Sequence, residues 1–254
     1  MKIKNIKITK TAIFLWIVAI TTAFLVYDSR FNSVDWRTAN RETSNQAPDP
    51  KVEKGAVVQV YYARTYNWRG YFAVHPWIAV KKKNEDFYTT YQVAGFYLRR
   101  TGSSVLAQKD IPDRYWFGKY PTLMQTLTGE EAEKAIPEIE KAVKSYPYGN
   151  IYELWPGPNS NTFISYIIRN VPELTVELPP NALGKDFLGY TKYFAKSESG
   201  RGYQFSIMGM FGVTIGPAEG IEINIASLVF GVDFLSPAVK LPFIGRAGMK
   251  DKPL

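Results

Sequence analysis

Seventeen consecutive residues, Thr11 to Tyr27 (TAIFLWIVAITTAFLVY), carry no charge, and Lys2, Lys4, Lys7 and Lys10 precede them. At about 1.5 Å of rise per helical residue, such a run is near the lower limit for crossing a bilayer. Lysines before the run and Asp28 after it orient a span with the amino end inside. The expectation is a single-pass anchor in a bacterial cytoplasmic (inner) membrane, with residues 11–27 in the lipid and the rest on the outer or periplasmic side. The competing reading is a cleaved signal peptide. Thr21-Thr22-Ala23 is a small-residue site, but Phe24 to Tyr27 prolongs the apolar run beyond it.

Residues 28–54 are polar and contain Pro48 and Pro50, the pattern of a flexible linker. The chain beyond, 55–250, is rich enough in apolar residues for one domain, with 46% hydrophobic residues overall. The net charge of +8 misleads: four of the 31 basic residues precede Asp28, leaving 27 against 23 acidic ones, a balance of +4. That gives no footing for nucleic-acid binding. There is no cysteine and one histidine, which excludes disulfides and thiol catalysis and leaves no expectation of a metal or other cofactor.

Periodicity predicts an α+β domain: an antiparallel sheet with a few packed helices behind an amino-terminal transmembrane helix. Val57 to Arg64 reads as a strand, Tyr71 to Val80 as a second and Phe87 to Tyr97 as a third, forming a meander. Opposing Val80 to Phe87 across the turn sets His75 opposite Gln92 on one face. Gly129 to Ser145 and Asn161 to Asn170 read as helices, the first with Ala132, Ala135, Ile136, Ile139 and Val143 as its buried stripe. In the carboxyl third, Ile221, Ile223 and Ile225 alternate with Glu222 and Asn224, which predicts a hairpin with the isoleucines buried. On that reading a carboxylate at Ile223 unfolds the domain, while one at Asn224 is harmless.

Two features are candidates for chemistry. Ser160 stands where a helix opens, in Gly157-Pro158-Asn159-Ser160-Asn161-Thr162-Phe163. A helix amino terminus can activate a nucleophile and hold an oxyanion, with Asn159 and Asn161 as further donors and Gly157 allowing close approach. The same residue types are also ordinary helix caps. His75 suits proton transfer near neutral pH, and Gln92 can orient it; a half-buried, hydrogen-bonded structural histidine is the plain alternative. Trp77, Tyr115, Trp116 and Trp155 are either core or the wall of a groove.

The segments Arg69 to Val80, Asp113 to Gly118, Trp155 to Phe163 and Gly184-Lys185-Asp186 together resemble the bacterial domain-of-unknown-function 3750 family over about residues 55–246. A more distant similarity is to circularly permuted papain-like cell-wall peptidases and lecithin-retinol acyltransferase-like enzymes. In those, a strand histidine precedes an Asn-Cys-Asn-x-Phe helix opening. The resemblance implies a permuted papain-like core with Ser160 at the nucleophile position, His75 as base and Gln92 near the third polar position. Serine in a cysteine site needs concerted deprotonation. Two functions therefore stay open: a serine hydrolase or acyltransferase acting on an amide or ester of the cell envelope, and a non-catalytic envelope binding or scaffold module.

Overall fold

The computed structural model describes residues 10–31 and 34–249. The domain has two antiparallel sheets. The first has the strand order β4-β3-β2-β1-β5, built from β1 (Val57–Arg64), β2 (Val74–Lys81), β3 (Thr89–Val93), β4 (Val105–Lys109) and β5 (Thr122–Thr128). The second is a seven-stranded meander: β6 (Phe194–Lys196), β7 (Tyr203–Ile207), β8 (Phe211–Gly216), β9 (Gly220–Ile225), β10 (Leu228–Asp233), β11 (Ala238–Leu241) and β12 (Gly245–Gly248).

The meander of β1, β2 and β3 forms as expected, but the turn between β2 and β3 is two residues longer in register than the pairing of Val80 with Phe87 implies. Val80 faces Thr89 and Ile78 faces Tyr91. A slip of two preserves side-chain parity, so His75 and Gln92 keep a common face. β3 also ends sooner than Tyr97. At Gly95 the chain enters α2 (Gly95–Thr101), closed by Gly102 in the left-handed conformation at φ 77°. Phe96 is exposed there, so its aromatic ring is not a sign of strand burial.

Strand alternation gives the first sheet two apolar faces. Val74, Ile78 and Val80 of β2 pack in one cluster with Ile136 and Ile139 of α3 (Gly129–Lys144) and with Phe163, Ile164 and Ile167 of α4 (Ser160–Asn170). The α3 stripe is the expected one, with Ala142 rather than Val143 as its last fully buried member. On the opposite face Trp77 and Ala79 join Tyr61, Tyr88 and Trp116.

Residues 34–54, expected as a tether, lie against this second face. The Asp113 carboxylate accepts hydrogen bonds from Thr43 Oγ1 (2.8 Å), Gln46 N (2.6 Å) and Ala47 N (3.2 Å). Tyr88 donates its hydroxyl to Pro48 O at 3.1 Å, and Ala47 packs on the aromatic cluster. Part of the segment's polarity thus serves one buried carboxylate, which Thr43 and Ser44 reach with their hydroxyls.

α1 (Lys10–Phe31) covers the expected span. Among the described residues, however, no helix is long and apolar enough to cross a membrane, so the structure lends the span no support. α1 meets the domain where Phe24 touches Tyr71 edge to face, ring centres 5.6 Å apart.

The largest departure is in the second sheet. Ile221, Ile223 and Ile225 are 40%, 48% and 52% exposed, whereas Glu222 and Asn224 between them are 2% and 5% exposed. The pattern extends across the sheet: Gln204, Ser206, Thr214 and Lys240 point inward, while Phe205, Val213, Ile215, Phe230 and Val239 point outward. The expected hairpin exists, but the opposite face is buried. The physical reason lies beneath it. Lys185 Nζ lies 2.7 Å from Glu222 Oε2, and Lys240 Nζ lies 3.0 Å from Glu222 Oε1. Asn224 donates its side-chain amide to Asp186 Oδ2 at 2.6 Å. The connection between α4 and β6 offers charges rather than an apolar layer, so the polar face must turn toward it.

Candidate functional site

Asn159 is the residue that caps α4. Its Oδ1 accepts from Asn161 N at 2.9 Å and Thr162 N at 3.3 Å, and Asn159 N donates back to Thr162 Oγ1 at 3.2 Å. Threonine here fills the position that Glu or Gln takes in the usual capping box. Ser160 is the first helical residue and is 5% exposed.

The side-chain donors that could serve an oxyanion here are engaged inside the protein. Asn159 Nδ2 donates to Leu154 O (3.1 Å) and Leu183 O (3.0 Å), and Asn161 Nδ2 donates to Leu183 O (2.8 Å). Thr162 Oγ1 donates to Gly184 O at 2.8 Å. Gly184 has φ +92°, and a Cβ there would lie 2.5 Å from Asn159 Nδ2. Gly157, at φ +132°, is similarly closed against Thr162 Oγ1 at 2.7 Å. The segments 157–163 and 183–186 thus form one latch that ties the mouth of α4 to the following loop. Sequence reading missed this partnership because the partners are backbone carbonyls, which leave no residue signature.

His75 and Gln92 do come together, with Nε2 and Oε1 2.9 Å apart. The ring stacks on Trp116, centres 3.8 Å apart and planes 9° apart. It therefore lies in the aromatic face of the first sheet, whereas α4 packs on the other. No hydrogen bond joins the ring to Ser160 among the described residues. Burial lowers the His75 pKa from 6.5 to about 4, with the Gln92 bond working against the shift and Arg114 adding to it. The imidazole is thus neutral at neutral pH and only weakly basic.

The four aromatic residues do not line one groove. Trp77 donates its indole N–H to Pro112 O at 2.7 Å and stacks near Trp116. Tyr115 packs on Tyr120. Trp155 is exposed and donates to Ala226 O at 3.2 Å, at the turn between β9 and β10. A cavity of about 510 Å³ opens beside α4, with Tyr148, Thr162, Tyr166, Arg169, Phe187 and Lys192 in its wall; neither Ser160 nor His75 lines it. Among the described residues no group of three or more histidine or acidic side chains is arranged to hold a metal ion.

The other polar concentration, under the second sheet, joins Lys185 and Lys240 to Glu177, Glu198 and Glu222. Burial, reinforced by the Glu222 charge, lifts Glu177 to about 8 despite the two lysines. Burial pushes Glu222 up as well, but Lys185 and Lys240 outweigh it and hold its pKa below the ordinary value.

Fold and site together define an α+β protein of two antiparallel sheets, with a latched helix on one face and a charged layer under the second sheet. The chain belongs to the DUF3750 family of proteins of unknown function, whose family model matches residues 55–187. That match includes β1 to β5, α4 and the Gly184-Lys185-Asp186 latch, and it stops before the second sheet, short of the expected limit at 246. No curated protein and no solved structure matches the chain.

Proposed function

We propose that the protein is a non-catalytic binding or scaffold module of the bacterial cell envelope, held at a membrane by its amino end. One observation carries the first half. His75 is stacked in the aromatic face of the first sheet, away from the face that α4 covers. A general base must come within hydrogen-bond reach of the proton it takes. The internal use of Asn159 and Asn161 supports the same reading, since an oxyanion site needs donors free to meet the substrate. The likeness to permuted papain-like enzymes is then one of residue order, with the serine in place of a thiol.

Support for the membrane half comes from the sequence and from the surface of α1. Lysines precede the uncharged run from Thr11 to Tyr27. Phe14, Leu15, Trp16 and Ile17, which occupy successive directions around the helix, are all at least 58% exposed. A helix apolar on all sides is unsuited to water.

The test is complementation of a deletion strain with Ser160→Ala and His75→Gln, paired with labelling by a fluorophosphonate probe. The expected result is full complementation by Ser160→Ala and no labelling of Ser160. Labelling that requires both residues would restore the hydrolase or acyltransferase reading. For the anchor, the full chain should stay with membranes through a high-salt and carbonate wash, and a reporter active only in the cytoplasm, fused at Asp49, should be silent.

A further inference from the structure

The outer face of the second sheet is the most unusual surface of the molecule. Strand registers align Phe205, Val213, Ile223 and Phe230 in one row across β7 to β10. The adjacent row, from Tyr203 to Val232, is equally apolar, and both are open to solvent. Lys196, on edge strand β6, borders the second of these rows. The side chains of the two rows are 37–77% exposed, and with about 150–250 Å² for each whole aromatic and somewhat less for each aliphatic one, the face amounts to on the order of 800 Å². Monomeric proteins usually leave patches of only about 300–600 Å².

We propose that this face is the interface of a homodimer, in which two copies close their second sheets face to face. The area available on each copy is comparable with the roughly 800 Å² per partner of a standard stable interface. The rows contain no charge, so two identical faces meet without like-charge repulsion, and their aromatic content is that of interface cores. Two sheets stacked at about 10 Å make a sandwich that supplies the apolar layer missing from the outer side. The sheet cannot gain that layer by turning over, because its other face holds Glu222 and Lys240 in ion pairs. Immersion in hydrocarbon is the poorer fit. The sheet is open, and edge strands β6 and β12 would carry unpaired backbone groups into lipid. This inference is independent of whether Ser160 reacts.

The absence of cysteine makes the test direct. Ile223→Cys places a thiol on the middle strand of the seven, near a two-fold axis through the centre of the face. Lys141→Cys, on the outer side of α3 with 75% of its side chain exposed, is the control. The full chain in its native membranes is treated with a short bis-maleimide cross-linker. The expected result is a covalent dimer from Ile223→Cys and none from Lys141→Cys. Adding Val213→Asp to Ile223→Cys should abolish the dimer while the thermal melt of the protein persists; if that variant does not fold, Val213→Thr serves. Three results would overturn the proposal. One is free reaction of the Ile223→Cys thiol with a water-soluble maleimide and no dimer. Another is protection of that thiol by lipid vesicles alone at dilutions where the chain is monomeric. The last is cross-linking only to a protein of different mass.

Discussion

The ammonium of Lys185 lies 2.7 Å from a carboxylate oxygen of Glu222, and both side chains are almost wholly out of water beneath β9. Glu222 also meets Lys240 at 3.0 Å. Glu222→Ala leaves two buried ammonium groups short of their shared partner, which should cost about 3–5 kcal/mol. That is comparable with the whole stability of an ordinary domain, roughly 5–15 kcal/mol. Ile223→Ser, one residue away on the open face, should leave the fold intact. Urea unfolding of the two variants checks the pair. Greater loss from Ile223→Ser than from Glu222→Ala would mean that the sheet faces the other way.

Asn159 and Ser160 are adjacent, and only the first holds the latch. Asn159→Ala removes the cap and withdraws donors from Leu154 O and Leu183 O. The loss should be about 2 kcal/mol, a cap plus part of a buried carbonyl's desolvation. Ser160→Ala, at a buried position that holds no cap, should cost less, no more than about 1 kcal/mol. The difference between the two unfolding midpoints is the measurement, and equal losses would contradict the assignment of the cap.

His75 is the sole histidine, so its ring gives one set of carbon-bound proton signals. Their titration midpoint should fall at about 4, well below the ordinary 6.5, because burial excludes the charged form. Asp113→Ala should release the segment from Thr43 to Ala47, making it sensitive to limited proteolysis and moving the midpoint back toward 6.5. An unshifted midpoint in the native protein would mean that solvent reaches the ring.

Glu177 gives the domain a pH dependence of opposite sign to that of His75. Its folded pKa of about 8 exceeds the ordinary 4.5, so the native state keeps a proton that the unfolded chain releases. The stability tied to that proton is complete below pH 4.5 and is lost as pH rises through about 8. His75 works the other way. Its depressed pKa contributes stability above 6.5 that is lost as pH falls through about 4. Glu177→Gln should therefore flatten the decline on the alkaline side and leave the acid side unchanged. Stability measured against pH for both proteins tests this.

The sequence alone determined the types of the elements and much of their pairing. Val57 to Arg64 had to be a strand, and the two helices at 129 and 160 begin within a residue of where their caps and stripes suggest. His75 and Gln92 share a face despite the two-residue slip, because side-chain parity survives an even shift. Only the tertiary structure decided what each face meets. Alternation along β9 says that its two faces differ, not which one is covered. That depends on Lys185, which arrives from 37 residues earlier in the chain and brings a charge that must be paired. The same holds at α4, where distant backbone carbonyls take up the donors that the sequence offered as an oxyanion site. It holds also for residues 34–54, whose polarity reads as a free linker until Asp113 is found beneath them. Local pattern fixes what a segment can become, while the partner stacked on it, drawn from elsewhere in the chain, fixes which of its sides is buried.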